Sequence, residues 1–173
     1  MEFSQVLYTR RSCRAYTAEP VSEEQLNQVL AAGNAAPVGM GAYGTVRMTV
    51  IRNQAFMAAL NKATAEFMKR DNDALYGAPV LILVSAKPGI PPVIECHNAG
   101  TIIENMTLAA TDMGLGSVYI MGAIAALNTK PELVAQLNLP EGFVPVAAMA
   151  LGHPVEAPAL REAANKIELS YLD

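Results

Sequence analysis

Pro79–Ser85, PVLILVS, is a continuous apolar run entered through Gly77-Ala78-Pro79. A run this short between turn signals reads as a strand, and with no charge on either alternating set it reads as buried on both faces. A strand of that kind needs a layer of structure on each side, so the chain must supply apolar helices for two layers.

Those helices are legible. Glu2–Thr9 is short. Ser22-Glu23-Glu24-Gln25 is a capping box, Ser with Gln three residues on, and opens a helix with Leu26, Val29, Leu30 and Gly33 on one face. Gln54–Lys69 carries Phe56, Leu60, Ala63 and Phe67 at helical spacing. Ile94–Met113 is the longest helix; Ala99, Ile102, Ile103, Met106, Ala109, Ala110 and Met113 span a wide arc, which places it centrally or at a subunit interface, and Gly114 ends it. Pro131–Leu137 is a further helix. Val46–Ile51, Gly116–Ile120 and Phe143–Leu151 read as strands, Ala35–Gly44 as a loop, and Glu162–Asp173 as an arm or a last helix. Two helices precede the first strand, so the order predicts α+β rather than a doubly wound βαβ sheet. With no repeat or linker, residues 1–173 are expected to form one domain.

Composition sets the class of partner. Of the 173 residues 52% are hydrophobic and 16% charged, a balance that favours an oligomer hiding apolar surface between subunits. A net charge of −4 without a basic stripe argues against nucleic-acid binding. No apolar run reaches the roughly 18–20 residues that span a bilayer, and Met1–Gln5 lacks a signal-peptide pattern, so no membrane partner and a cytoplasmic location are expected. Cys13 and Cys96 form neither a disulfide framework nor a metal spacing. His97 and His153 have no partner at ligand spacing; Cys96 and His97, being adjacent, point about 100° apart on a helix.

Against this acidic background, Arg10-Arg11-Ser12-Cys13-Arg14 gathers three of the twelve cations within five residues around a hydroxyl. Two readings are open on the segment alone. Guanidinium forks with a hydroxyl suit a phosphate, which takes bidentate charge-assisted hydrogen bonds. Alternatively, Arg10 and Arg11 complement the C-terminal dipole of the first helix and Arg14 is a surface residue. Gly39-Met40-Gly41-Ala42-Tyr43-Gly44 matches G-x-G-x-x-G, but a helix precedes it and a strand follows, the reverse of a dinucleotide fingerprint. There is no G-x-S-x-G nucleophile elbow, triad or paired carboxylate.

Taken together, the blocks resemble the FMN-dependent nitroreductase family. They are Arg10-Arg11-Ser12-Cys13-Arg14-Ala15-Tyr16, similar to R-x-S-x-[RK]-x-[FY]; Ala32 with Ala36-Pro37; Tyr76-Gly77-Ala78-Pro79; Glu104-Asn105-Met106 with Gly114-Leu115-Gly116-Ser117 and Ile120-Met121-Gly122; and Leu151-Gly152-His153-Pro154 with Arg161 beyond. The resemblance implies an α+β fold with a mixed central sheet flanked by helices, in an interlocked homodimer with FMN at the subunit interface. It implies that Arg10 and Ser12 hold the phosphate and ribityl end, that Arg161 adds a phosphate contact, that Arg11 lies along the flavin, and that Arg14 reaches its N1/O2 edge. Pro37, Val38 and Gly39 would come from the partner subunit, while Ile120, Met121 and Gly122 would line the flavin face. No conventional catalytic side chain and no metal is implied. The implied activity is ping-pong transfer of hydride from NAD(P)H to a nitroaromatic, quinone or similar flat acceptor. An FMN storage or sensor protein without turnover would need the same arginines.

The chain departs from the pattern in several places, among them the absence of the insertions that usually shape the substrate pocket between Arg70 and Pro79 and around Ala123–Lys130. Val38-Gly39-Met40-Gly41 stands where many members carry Ser or Asn and then Gln-Pro-Trp, which leaves backbone contacts there. Met121 occupies a position where a carboxylate is often found. Ala159 replaces a second cation before Arg161, a role that Lys166 is expected to take.

Overall fold

The computed structural model describes residues 1–70, 73–89, 91–162 and 167–172. Its elements run α1 (Phe3–Thr9), α2 (Glu23–Asn34), β1 (Val46–Ile51), α3 (Gln54–Met68), β2 (Val80–Ala86), α4 (Ile94–Asp112), β3 (Gly116–Ile120), α5 (Gly122–Leu127), α6 (Pro131–Gln136) and β4 (Val144–Gly152).

Every residue of β2 is buried, and the alternation of its side chains divides the core in two. Val80, Ile82 and Val84, with Met149 and Leu151 of β4, pack against Val29 of α2 and Ile103 and Met106 of α4. Leu81 and Leu83, with Val118 and Ile120 of β3, pack against Leu60 of α3, Ile124 and Leu127 of α5 and Leu133 of α6. The sheet is the middle layer of three, as the apolar run requires. Each fully buried Leu, Ile or Val contributes about 1.5–3 kcal/mol relative to exposure.

The strand order is β1-β2-β4-β3. All three pairings are antiparallel, with a bulge between Val84 and Ser85 in the β2–β4 register. The named strands of the expected mixed sheet pair antiparallel, and among the described residues a parallel bridge joins Ser12 to Ser117 on the β3 edge. The physical reason is that strand sense depends on long-range pairing, which no local pattern encodes.

Local signals fix most of the boundaries. Ser22 Oγ accepts from the Gln25 N–H at 3.1 Å and Gln25 Oε1 accepts from the Ser22 N–H at 3.0 Å, completing the capping box. Asn53 caps α3 by accepting from the Phe56 N–H at 3.0 Å. Gly114, at φ +74°, ends α4. The α3 stripe is buried at Phe56, Leu60 and Ala63, but Phe67, at the same helical spacing, is 51% exposed. It stands in the helix's last turn beside Met68, whose Sδ lies against Gly122. The described part of the tail, residues 167–172, forms no helix. Among the described residues, no helix is long and apolar enough to cross a membrane.

Candidate cofactor site

After α1 the chain runs extended along the β3 edge and is stitched on both sides. The Cys13 N–H donates to the Ser117 carbonyl at 2.8 Å, the Thr17 N–H to His153 at 2.8 Å, and the Val155 N–H to Ala15 at 3.2 Å. These bonds turn residues 12–17 into a rail whose side chains project from a fixed backbone. Cys13 turns inward and donates from Sγ to the Ala15 carbonyl at 3.2 Å. It fits because Gly116 has no side chain: a Cβ there would come within 2.6 Å of Cys13 Sγ and 2.9 Å of Cys13 Cβ. Ser12 and Arg14, on either side of Cys13, stay exposed. Tyr16 anchors the far end, its hydroxyl donating to the Cys13 carbonyl at 3.1 Å. Burial pushes its phenol well above the ordinary tyrosine range; Cys13 adds to the shift and Arg14 opposes it.

The near end is held by Arg161. The last carbonyls of a helix lack partners within it, and the Arg161 side chain supplies donors: Nε to Tyr8 O at 3.1 Å and Nη2 to Leu7 O at 3.4 Å and Arg10 O at 2.6 Å. Arg10 Nε lies 3.7 Å from Glu104 Oε1 of α4, a half-exposed pair. Arg14 Cζ stands 5.9 Å from the centroid of the Tyr76 ring.

Arg11, Ser12 and Arg14 line a cleft of about 370 Å³ floored by Thr111, Leu115 and Gly116 and walled opposite by Pro154–Pro158. The Arg10–Arg14 segment and Arg161 are thus brought together at one end of the sheet edge. Ile120 is buried at the other end of β3, Met121 is 68% exposed, and Gly122 opens α5. Pro37, Val38 and Gly39 do not line the cleft of their own chain. They are seated on α4, where Thr101 Oγ1 donates to Pro37 O at 3.0 Å and the Gly39 N–H donates to Asn98 Oδ1 at 2.9 Å. Lys166 lies outside the described residues.

Several residues of the site escape sequence reasoning. Glu104 and Thr111 face the rail from α4, and Pro154–Pro158 form a wall without periodicity. Asn98 and Thr101 stand three apart on one helix, but other polar residues along it gave them no distinct signal.

The donor set suits a phosphate-bearing planar ligand. One end offers guanidinium groups and a hydroxyl, with the Tyr76 ring 5.9 Å from Arg14 Cζ; past the other end of β3 stand the exposed apolar side chains of Met121 and Met68.

The chain belongs to the nitroreductase family, whose family model matches residues 7–153. Over 91% of this chain and 68% of its own length, the NADPH-flavin oxidoreductase of Vibrio harveyi is 32% identical. The FMN reductase [NAD(P)H] of Bacillus subtilis is 28% identical over 96% of this chain and 73% of its own. Among solved structures, a nitroreductase with bound FMN from Bacteroides fragilis superposes with TM-score 0.84 at 29% identity, covering 100% of both chains. A nitroreductase with bound FMN from Desulfitobacterium hafniense gives 0.84 at 25% identity, again over 100% of both.

Proposed function

We propose that this family member is an FMN-dependent oxidoreductase that takes reducing equivalents from NAD(P)H and passes them to nitroaromatics, quinones or similar flat acceptors, each substrate visiting the same face in turn. The observation that carries the reading is the rail: three arginines and a serine hydrogen-bonded into place along one sheet edge. It is supported by the names of the relatives and by the FMN bound in the solved neighbours.

FMN, when bound, supplies two-electron transfer between nicotinamide and acceptor. The protein's own task is position and field. Arg10 and Ser12 take the phosphate, which competes with Glu104 for Arg10; that half-exposed ion pair is weak and yields readily. Arg161 acts through the backbone, holding the Arg10 carbonyl and the end of α1. Arg11 and Arg14, which line the cleft, would flank the cofactor, and Arg14 would supply a fixed cation that stabilises negative charge on the ring system. Met121 offers no proton donor, so the polarity beside the ring comes from the backbone around Ile120 and Gly122. Pro37, Val38 and Gly39, which lie away from their own cleft, reach the partner subunit's site, which makes the homodimer a functional requirement.

The test is the visible spectrum of FMN-loaded, gel-filtered protein under anaerobic conditions. Bleaching by NADH or NADPH, reversed by a quinone or nitroaromatic, is the expected result. Flavin that binds yet stays oxidised would make the protein a store or sensor of FMN.

A further inference from the structure

The turn ahead of β2 is held in a conformation that its residues do not favour. Tyr76 has φ +59° and Gly77 φ +70°. Glycine adopts this region freely, whereas a bulky aromatic there is a steric outlier. The surroundings over-determine it. The Asp73 carboxylate accepts from the Leu75 N–H at 2.9 Å, the Gly77 N–H at 2.6 Å and Asn61 Nδ2 of α3 at 2.6 Å. Asn61 Oδ1 in turn accepts from the Leu75 N–H at 3.2 Å. An outlier pinned by such a network points toward function.

The turn sets where the Tyr76 ring stands. Its centroid lies 5.9 Å from Arg14 Cζ, within cation–π range. Among the described residues, no carboxylate forms an ion pair with Arg14 and no acceptor takes a hydrogen bond from it. The ring is therefore the contact that directs this guanidinium. A π contact holds the charge without using the five N–H donors, which remain for a ligand in the cleft.

We infer that Tyr76 is a positioning residue: its ring, aimed by the Asp73–Asn61 turn, fixes Arg14 over the cleft and thereby sets the potential of bound FMN more than its retention. The inference rests on the reading of Arg14 as the cation at the ring edge of FMN.

The test uses Tyr76→Asn, Tyr76→Phe, Arg14→Ala and the Arg14→Ala/Tyr76→Asn double variant. Asn tolerates φ above zero, so the turn survives while the ring is lost; Phe keeps the ring. The readouts are the midpoint potential and the affinity for oxidised FMN, together with the NMR position of the Arg14 Nε–H in ligand-free protein. Tyr76→Asn is expected to weaken binding of reduced relative to oxidised FMN about fivefold, a fall of about 20 mV at roughly 30 mV per decade. Tyr76→Phe should match the native potential, and in the Arg14→Ala background Tyr76→Asn should add nothing. The Arg14 resonance should move when the ring is removed. If Arg14→Ala leaves the potential unchanged, the placement of Arg14 fails and this inference with it. If Arg14→Ala lowers the potential but Tyr76→Asn does not, or acts equally without Arg14, the positioning role alone is overturned. Should Tyr76→Asn not fold, an Arg14 Nε–H free of ring-current displacement in the native ligand-free protein overturns it as well.

Discussion

Arg161 and Arg10 show how one residue type divides into two tasks. Arg161 donates to three carbonyls at the end of α1, while Arg10 keeps its guanidinium beside Glu104. Arg10→Ala should leave the melting temperature close to native and weaken FMN binding by about 1–2 kcal/mol, roughly 5–30-fold, by isothermal titration. Arg161→Ala should lower both, because three carbonyls at the end of the helix lose their side-chain donors; a normal melting temperature with weakened FMN would place Arg161 on the phosphate instead. Tyr16 carries the pH prediction. Burial raises its folded-state pKa above that of the unfolded chain, so its stabilisation is complete below about pH 10 and is lost as pH rises beyond it. Native protein should lose stability above pH 10 in urea titrations, and Tyr16→Phe should flatten that decline; an equal decline in the variant would remove Tyr16 as its source. Of these residues the cluster Arg10–Arg14 was visible in the sequence because its members are neighbours. The carbonyl-binding role of Arg161 was not, since its partners lie about 150 positions away, 151 for Arg10 and 154 for Leu7. Tyr76 was quoted only as part of a motif, for nothing local announces that it will meet Arg14.

At the scale of elements, the sheet succeeds by burying both faces of β2, and the rail succeeds by lying tight on β3. Leu83 is fully buried between β2 and the α3–α5 layer, so Leu83→Ala should cost about 2–5 kcal/mol by chemical denaturation. Gly116→Ala tests the rail. Its new Cβ would meet Cys13 Sγ, Cys13 Cβ and, at 3.2 Å, Pro154 Cβ, and only the first belongs to a freely adjustable atom. The rail should be pushed off the edge, with FMN affinity falling more than thermal stability, and Cys13→Ala should restore only part of the loss. Elements with a local signature were legible: the β2 run, the Ser22 capping box, the α4 terminus at Gly114. The short helix α5, Gly122–Leu127, was missed, because six residues of mostly Ala and Gly carry no full period of an apolar stripe. Sheet sense has no local signature for the opposite reason, being decided by which distant strands meet.

For the whole molecule, exposed apolar groups recur along the surface, and two runs of them stand close together in sequence. Phe3, Leu7 and Tyr8 are exposed on or beside α1, and Ile167, Leu169, Tyr171 and Leu172 are exposed on the tail. Together with the seat of Pro37–Gly39 on α4 this supports a homodimer in which each site draws on both chains. Light scattering should give twice the 18.3 kDa chain mass, and the melting temperature should rise with protein concentration. A monomer that binds FMN with native affinity would contradict the shared site. This part of the site stayed hidden in the sequence beyond the family resemblance, since one chain's pattern does not state which surfaces meet a second copy.

The rail of residues 12–17, led by Arg10, is proposed as a phosphate cradle for a flavin. Titration of FMN and of riboflavin into ligand-free native protein and Arg10→Ala protein addresses this most directly, because the two ligands differ only in the phosphate. FMN is expected to bind the native protein at least tenfold more tightly than riboflavin, with most of that difference lost in Arg10→Ala. Equal binding of the two ligands by native protein, or a difference untouched by Arg10→Ala, would contradict it.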